Sequence, residues 1–247
     1  MLNPFPHNDY QLHPILVRTL EQIRSRRKGL SDLCTLGLDP LFESVSGTLN
    51  GEDVFILNEV HRSKGLRKLH LEIAFLGDGL QILHCVFFPE PIFDLPVFGV
   101  DIVIGSGGVS AAIVDLSPVR NKLPDKIIYS LERLEKPSFK IKRDLPKWGD
   151  IFSSYVLFVR PTNSIEEELF LEMVDNYLGI FITSLEALEP EEIDCQLTTE
   201  RYEGQISYCL NQKQNDKTRK VLEKAFSTEW TNRYIDEVLF DMPKLLL

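Results

Sequence analysis

Three ionisable residues, Glu72, His84 and Asp101, lie on otherwise apolar segments in the middle of the 247-residue chain. An ionisable side chain in such a segment costs folding free energy unless it is paired or performs chemistry. A histidine beside a carboxylate can hold and pass on a proton near neutral pH, because its ordinary pKa is about 6.5. The residue types therefore indicate either a hydrogen-bonded pair in the core or a site of proton transfer.

A metal site is a third interpretation of the same region. His70 lies two residues before Glu72, so both side chains point to one face of a strand. Two imidazoles and one carboxylate, here His70, His84 and Glu72, can bind a transition metal. The residues alone leave all three interpretations open.

The spacing of the three segments predicts that their ionisable side chains meet. The loop 77–79 (Gly-Asp-Gly) joins two apolar segments and is typical of an antiparallel hairpin. Folding about this loop places Glu72 opposite His84. The next connection, 89–96, is longer and contains three prolines; if it closes symmetrically, His84 falls opposite Asp101. Directly opposed residues have side chains roughly 5 Å apart on one face, so we expect one row across three strands.

Apolar periodicity predicts strands in the middle of the chain and helices toward both ends. The predicted strands are 52–60, 67–76, 80–88, 97–105, 111–116 and 154–159. The predicted helices are 13–27, 124–136, 165–187, 191–212 and 216–239, the last with a break near Ser227. Because strands and helices do not alternate, the pattern favours an α+β fold in which helices cover an antiparallel sheet. We expect residues 1–247 to form a single domain.

Composition and charge argue against several classes of protein. The net charge of −10 argues against general nucleic-acid binding. No apolar run has the length of a membrane span, and the N-terminus lacks the apolar core of a signal peptide. The four cysteines form no CxxC motif and predict reduced thiols, with Cys85 in the core. We therefore expect a cytoplasmic protein that neither enters a membrane nor binds nucleic acid.

A glycine-rich segment and two basic groups carry weaker signals. The segment GSGGVS (105–110) lacks the lysine of a phosphate-binding loop and predicts a turn between strands, from which Ser110 could donate to a ligand carboxylate. Each basic group is either a solvated surface or a binding surface for an anionic ligand or an acidic partner. The first group is Lys213, Lys217, Arg219, Lys220 and Lys224, and the second is Arg62, Lys64, Arg67 and Lys68.

Several collinear segments resemble the ferredoxin-dependent bilin reductases, and within them the cyanobacterial branch that forms phycocyanobilin. The segments are LHLE (69–72), ILHCVFFPEPIFDLPVFGVDIV (82–103), GGVSAAIVDLSP (107–118), LPKWGDIFSSYVLFVRP (145–161) and NDKTRKVLEKAF (215–226). Together they extend the resemblance over roughly residues 50 to 240. This is far more specific than any one short motif.

The resemblance implies a three-layer α/β/α sandwich with a central antiparallel sheet flanked by helices. It implies an enzyme that reduces biliverdin IXα to phycocyanobilin in two successive two-electron steps, at the D-ring exovinyl group and then at the A-ring. Electrons would come from reduced [2Fe-2S] ferredoxin, with no bound metal, flavin or nicotinamide, so that protein side chains must supply the protons. The family also suggests a monomer.

The resemblance assigns roles to the residues noted above. Asp101 corresponds to the aspartate that protonates the bilin, and His84 to the histidine that shares a proton with it. Glu72 corresponds to the glutamate that marks the phycocyanobilin-forming branch and assists reduction of the exovinyl group, and His70 to a second histidine linked to the site through water. The remaining binding residues would be Ser110, Arg143 and Lys217 on the propionates, and Gln212 and Asn215 on the pocket wall.

Two other functions stay open beside this one. A family member with different regiospecificity would form phycoerythrobilin or dihydrobiliverdin. A non-catalytic bilin-binding protein would keep the pocket without the chemistry. The presence of Glu72, His84 and Asp101 together argues against both.

Overall fold

The fold consists of a central sheet with helices on both faces, and a computed structural model describes residues 11–77 and 79–244. The helices are α1 (Pro14–Lys28), α2 (Pro40–Glu43), α3 (Asp125–Glu132), α4 (Ser164–Glu186), α5 (Gln196–Gln212), α6 (Asp216–Ala225) and α7 (Thr228–Arg233). The strands are β1 (Cys34–Thr35), β2 (Ser44–Leu49), β3 (Glu52–Ser63), β4 (Leu66–Leu76), β5 (Gln81–Pro89), β6 (Val97–Gly105), β7 (Gly108–Ser117) and β8 (Leu157–Val159). A 3-10 turn (Gly149–Ile151) precedes β8, and a π-helix (Tyr234–Leu239) continues α7.

The eight strands form one antiparallel sheet in the order β1-β3-β4-β5-β6-β7-β8, with β2 also paired to β3. One face packs against α1, α3 and α4. The other face packs against α2, α5, α6 and the π-helix. Two apolar layers therefore enclose the sheet, and the predicted three-layer α/β/α sandwich is confirmed.

The register of the central strands confirms the predicted row. Glu72 lies opposite His84, and His84 lies opposite Asp101. On the first hairpin, Gly77 and Gly79 adopt φ angles of 69° and 71°, a region that side chains with a Cβ rarely enter. The hairpin closes at these glycines, and its register holds along β4 and β5 as far as the pair Lys68–Phe88, after which it shifts near Leu66.

Strand alternation determines which layer the row faces. On β4, Leu69, Leu71 and Ile73 pack into the layer with α1 and α4. Ala74 packs into the layer of the C-terminal helices, and so His70 and Glu72 must share that face. The ionisable row consequently lies between the sheet and the C-terminal part of the chain.

The largest differences from the predicted elements lie outside the consecutive antiparallel strands β4, β5 and β6. The short elements β1, α2 and β2 lie between the first helix and β3, in a stretch for which no helix or strand was predicted. Strand β8 covers only 157–159 of the predicted 154–159, and helix α5 begins at residue 196 rather than 191. The predicted break near Ser227 is confirmed, because α6 ends at Ala225 and α7 begins at Thr228.

Two expectations from composition concern the core and the membrane. Cys85 is fully buried in the core, as predicted, and all four cysteines are free thiols. Within residues 11–77 and 79–244, none of the helices combines the length and the apolar character that a membrane crossing requires.

Candidate active site

A cavity of about 710 Å³ lies between the ionisable face of the sheet and the C-terminal helices. Its volume is in the range of sites that enclose small organic ligands, roughly 300–1,000 Å³. Apolar side chains from the strands and the segment before β8 form much of its wall: Ile56, Ala74, Ile82, Val103, Ile113 and Trp148. Glu72, His84 and Asp101 are the ionisable groups of the sheet within this wall. The site therefore combines a flat apolar surface with a short row of proton-carrying groups.

His84 and Asp101 form the outer, more accessible pair of the row. His84 Nδ1 lies 2.6 Å from Asp101 Oδ1, and the Asp101 side chain is 40% exposed whereas that of His84 is 10% exposed. Burial alone would lower the pKa of His84, but the charge and hydrogen bond of Asp101, together with Glu72, raise it above its ordinary value. This pair can therefore share a proton at neutral pH and present it to the cavity.

Glu72 is the buried carboxyl group of the row. Burial raises its pKa above the ordinary value, although the nearby His84 acts in the opposite direction. Its Oε2 forms a short hydrogen bond with the hydroxyl of Tyr234, the first residue of the π-helix. Glu72 can consequently keep a proton at a pH at which an exposed glutamate is ionised.

His70 lies behind the cavity wall rather than on it. Its ring is fully buried, and its Nε2 lies 2.7 Å from Asn58 Oδ1. Burial lowers its pKa well below the ordinary value, with Lys68 and His84 acting in the same direction, and so the ring is neutral. His70 contacts the site through Asn58 and through the edge of the His84 ring, whose centroid is 5.7 Å away.

Two cations stand at the mouth of the cavity, at the positions predicted for propionate binding. Arg143 lies over the ring of Phe158 and donates from Nη1 to the carbonyl of Ser110 at 2.5 Å. Lys217 is exposed in the first turn of α6, where Asn215 caps the helix by accepting from its backbone N–H at 3.2 Å. All five residues line the cavity. Arg143 and Lys217 therefore place two positive charges on the cavity lining of an acidic chain, beside the carboxylates of Asp144 and Asp216.

The two remaining predicted residues also line the cavity. Ser110 lies in β7 and not in the preceding turn, and its hydroxyl donates to the Val103 carbonyl at 3.0 Å. Gln212 ends α5, where its Nε2 donates to the Tyr208 hydroxyl at 3.0 Å. Of the predicted site residues, only His70 does not reach the cavity wall.

The sequence-based prediction missed Asn58 and Tyr234. Asn58 lies opposite Glu72 on β3 and extends the row by one strand. A polar residue inside the apolar run DVFILNEV was a usable signal for it. Tyr234 is separated from Glu72 by 162 residues, and nothing in its local sequence indicates that contact.

The second basic group is not a continuous surface patch, and its prediction as such is wrong. Lys68 is buried and donates from Nζ to the Val238 carbonyl at 2.6 Å and to Asp241. Arg67 also pairs with Asp241, at 2.9 Å. Both side chains point inward because they satisfy groups at the end of the π-helix, which leaves only Arg62 and Lys64 exposed.

The alternative metal set of His70, Glu72 and His84 is not assembled among the described residues. In the part of the chain that the structure describes, no group of three or more histidine, cysteine or acidic side chains is arranged to hold a metal ion. His70 is engaged with Asn58 and Glu72 with Tyr234, so these two residues face different partners.

Comparison with known proteins identifies the family. The model of the ferredoxin-dependent bilin reductases matches residues 20–241. A phycocyanobilin:ferredoxin oxidoreductase of Prochlorococcus marinus (strain MIT 9313) is 52% identical over 241 residues, which covers 97% of this chain and 91% of the relative. The protein of the same name in Synechococcus sp. (strain CC9902) is 51% identical over 233 residues, covering 94% and 95%.

A solved structure shares the fold at low sequence identity. The crystal structure of tomato phytochromobilin synthase in complex with biliverdin has a TM-score of 0.69 and 18% identity, over 92% of this chain and 81% of that chain. Together with the family match and the relatives above, this leads to one conclusion. The chain belongs to the ferredoxin-dependent bilin reductase family and is a ferredoxin-dependent oxidoreductase.

Proposed function

We propose that this protein reduces biliverdin IXα to phycocyanobilin in two successive two-electron steps, first at the D-ring exovinyl group and then at the A-ring. The observation that carries the proposal is the row of Glu72, His84 and Asp101 on the wall of an apolar cavity. The names of the cyanobacterial relatives support the product, and the tomato structure supports biliverdin as the ligand of the fold. We further propose that the chain forms a single domain, because both apolar layers pack on the same sheet.

The shape and charge of the cavity fit a linear tetrapyrrole. A conjugated bilin would lie flat on the strand residues, and its propionates would point toward the mouth. Arg143 and Lys217 would neutralise these carboxylates, and the hydroxyl of Ser110 and the amides of Gln212 and Asn215 would add hydrogen bonds. Charge-assisted contacts at one edge would determine which rings face the ionisable row.

Protons would come from the row and electrons from outside. Each two-electron step takes two electrons, one from each of two reduced [2Fe-2S] ferredoxins, and two protons. A bilin radical anion is more basic than the neutral bilin, so a positioned acid makes each electron transfer productive. Asp101, which faces the cavity, would protonate the bilin, and His84 would return the proton to Asp101 across their hydrogen bond.

Glu72 would serve the exovinyl group. It is buried on the cavity wall and its raised pKa favours the protonated form. A protonated carboxyl group next to the D-ring would deliver the proton that this reduction requires. His70 would act from behind the wall, through Asn58 and His84, rather than by touching the bilin.

Ferredoxin would dock at the mouth of the cavity. Plant-type ferredoxins are acidic, and the exposed lysines of α6, which are Lys217, Lys220 and Lys224, offer the opposite charge. A second exposed basic segment, 140–147, carries three lysines and Arg143 and reaches the same mouth. Electrons would then enter at the edge where the propionates are held.

The direct test is anaerobic incubation with biliverdin IXα, reduced ferredoxin and a regenerating system, followed by chromatography of the products. Phycocyanobilin is the expected product. Phycoerythrobilin or dihydrobiliverdin would assign a different regiospecificity, and bound but unchanged biliverdin would indicate a bilin-binding protein without reductase activity.

A further inference from the structure

The orientation of the Asn58 amide follows from its neighbours. Its Nδ2 lies 2.6 Å from the carbonyl oxygen of Phe42, which can only accept a hydrogen bond. The amide nitrogen must therefore face Phe42, and Oδ1 must face His70 and Tyr234. Asn58 offers these two residues an acceptor and no donor.

The acceptor determines the state of His70. Because Oδ1 of Asn58 can only accept, Nε2 of His70 must carry a hydrogen. Since the buried ring is neutral, Nδ1 is then without a hydrogen, and among the described residues Nδ1 has no hydrogen-bond partner. His70 is thus a neutral imidazole whose hydrogen is on Nε2, and it donates that hydrogen to Asn58.

The single hydrogen of the Tyr234 hydroxyl cannot serve both of its neighbours. The oxygen lies 2.9 Å from Asn58 Oδ1 and also contacts Glu72 Oε2. A hydrogen bond from Tyr234 to an ionised Glu72 would lower the Glu72 pKa, but it would leave the oxygens of Tyr234 and Asn58 2.9 Å apart with only lone pairs between them. If Tyr234 donates to Asn58, Glu72 must bring its own hydrogen to the hydroxyl. Only the protonated glutamate places a hydrogen between the oxygens of both close contacts.

We infer that Asn58 and Tyr234 are positioning residues that hold Glu72 in its protonated form with its proton directed to the Tyr234 hydroxyl. The other ionisable groups acting on Glu72 are His84 and Asp101, on the two adjoining strands. The catalytic meaning of this inference rests on the proposed function. It explains why a protonated carboxyl group would be available when the exovinyl group is reduced. The protonation state itself does not depend on which substrate is bound.

The test is infrared titration of the ligand-free protein. The carbonyl stretch of the protonated Glu72 carboxyl group is assigned as the band lost in Glu72→Gln, and it is expected to be present at pH 7 in the unaltered protein. Tyr234→Phe removes the acceptor of the Glu72 proton, so the pKa read from this band should fall by about one unit. Asn58→Leu frees the tyrosine hydrogen for an ionised Glu72 and should shift the pKa in the same direction.

A matched control and two contrary outcomes complete the test. Tyr177→Phe removes another buried hydroxyl, which donates to the Tyr155 carbonyl within the opposite apolar layer, and should leave the Glu72 band unchanged. A rise in the Glu72 pKa in Tyr234→Phe would show that the tyrosine donates to an ionised glutamate, and would overturn the inference. So would absence of the band at pH 7 in the unaltered protein, a result that needs neither Tyr234→Phe nor Asn58→Leu to fold.

The catalytic consequence has a separate readout. In the reductase assay, Asn58→Leu should increase the share of product that keeps the exovinyl group. If the unaltered protein does not reduce biliverdin, the proposed function fails while the infrared result stands. If it does reduce biliverdin and the band is absent, the proposed function stands and only the inference about Asn58 and Tyr234 fails.

Discussion

At the scale of single residues, the site shows how environment separates two carboxyl groups and two histidines of the same type. Asp101 reaches solvent and bonds His84, whereas Glu72 is buried and contacts Tyr234. The carboxylates of Asp101 and Glu72 raise the pKa of His84, whereas burial lowers the pKa of His70, so that the His70 ring is neutral. Differences of this kind assign separate tasks to chemically similar side chains.

Asp101→Asn tests the outer proton donor. Asparagine keeps the size of the side chain, so biliverdin binding should stay within a few-fold of the unaltered protein. Turnover should fall by roughly 100-fold or more, because a positioned acid contributes about that factor. Single-turnover absorbance under anaerobic conditions measures it, with Asp150→Asn on the exposed 3-10 turn as the control. Turnover near the original rate would remove Asp101 from the mechanism.

Glu72→Gln tests the buried donor. Glutamine retains a hydrogen-bonding side chain beside Tyr234 but cannot release a proton. We expect the product mixture to shift toward bilins that keep the exovinyl group, while binding is retained. Chromatography of the products after a fixed number of turnovers gives the ratio. An unchanged ratio of products would contradict the role of Glu72 in this step.

At the scale of elements, hydrogen bonds from buried charged groups join segments far apart in the chain. Lys68 on β4 binds the last carbonyls of the π-helix, and burial lowers its pKa although the carboxylate of Asp241 favours the charged form. Asp115 on β7 accepts hydrogen bonds from Ser117 and from the hydroxyl and backbone N–H of Ser153. Such contacts hold the π-helix and the segment before β8 against the sheet.

Asp115 predicts a pH dependence of stability. Burial outweighs its hydrogen bonds and raises its pKa from 3.8 to about 6. The folded state therefore binds this proton more tightly than the unfolded chain, so the stabilisation is complete below pH 4 and disappears as the pH rises through 6. Relative to Asp115→Asn, the unaltered protein should lose about 2 kcal/mol of unfolding free energy between pH 4 and pH 7.

Chemical denaturation at a series of pH values measures this difference. Asp125→Asn is the control, because the side chain of Asp125 is 83% exposed and forms an ion pair with the exposed Lys122. A constant difference in stability between the Asp115→Asn variant and the unaltered protein would show that Asp115 does not bind its proton more tightly in the folded state.

At the scale of the whole molecule, the distribution of charge matters more for binding an acidic partner than the net charge does. The chain carries a net charge of −10, yet α6 and segment 140–147 carry exposed cations beside the cavity. An acidic partner would be attracted to these cations although the chain as a whole repels it. Docking and substrate entry would thus share one edge.

Charge reversal on α6 tests the docking surface. The double variant Lys220→Glu and Lys224→Glu should lower the second-order rate of reduction by ferredoxin about tenfold at low salt. The rate of the unaltered protein should fall as ionic strength rises, because salt screens the attraction. The control is Lys126→Glu on α3, which packs on the opposite face of the sheet. Equal losses in the control and the double variant would argue against docking at the cavity mouth.

Much of the fold was predictable because its signals are local. A period of two along the strands and a three-residue loop containing two glycines determine the pairing of Glu72 with His84. The extension to Asp101 needed one assumption about the connection 89–96, which the pairing of β5 with β6 confirms. The short elements between α1 and β3 were missed, because two- to six-residue elements carry too little periodicity to be recognised.

The sequence by itself therefore determined the ionisable row, the sharing of one face by its side chains, and the family, because these follow from neighbouring strands and collinear segments. Only the tertiary structure decided which C-terminal residues contact the row. Tyr234 reaches Glu72 across 162 residues, and Lys68 reaches Val238 across 170. The packing of a helix on a sheet sets such contacts, and that packing depends on the whole apolar layer rather than on the residues that touch. In the same layer, Arg67 and Lys68 of a basic group predicted for the surface point inward, and the buried Glu72 is one end of a hydrogen-bond network.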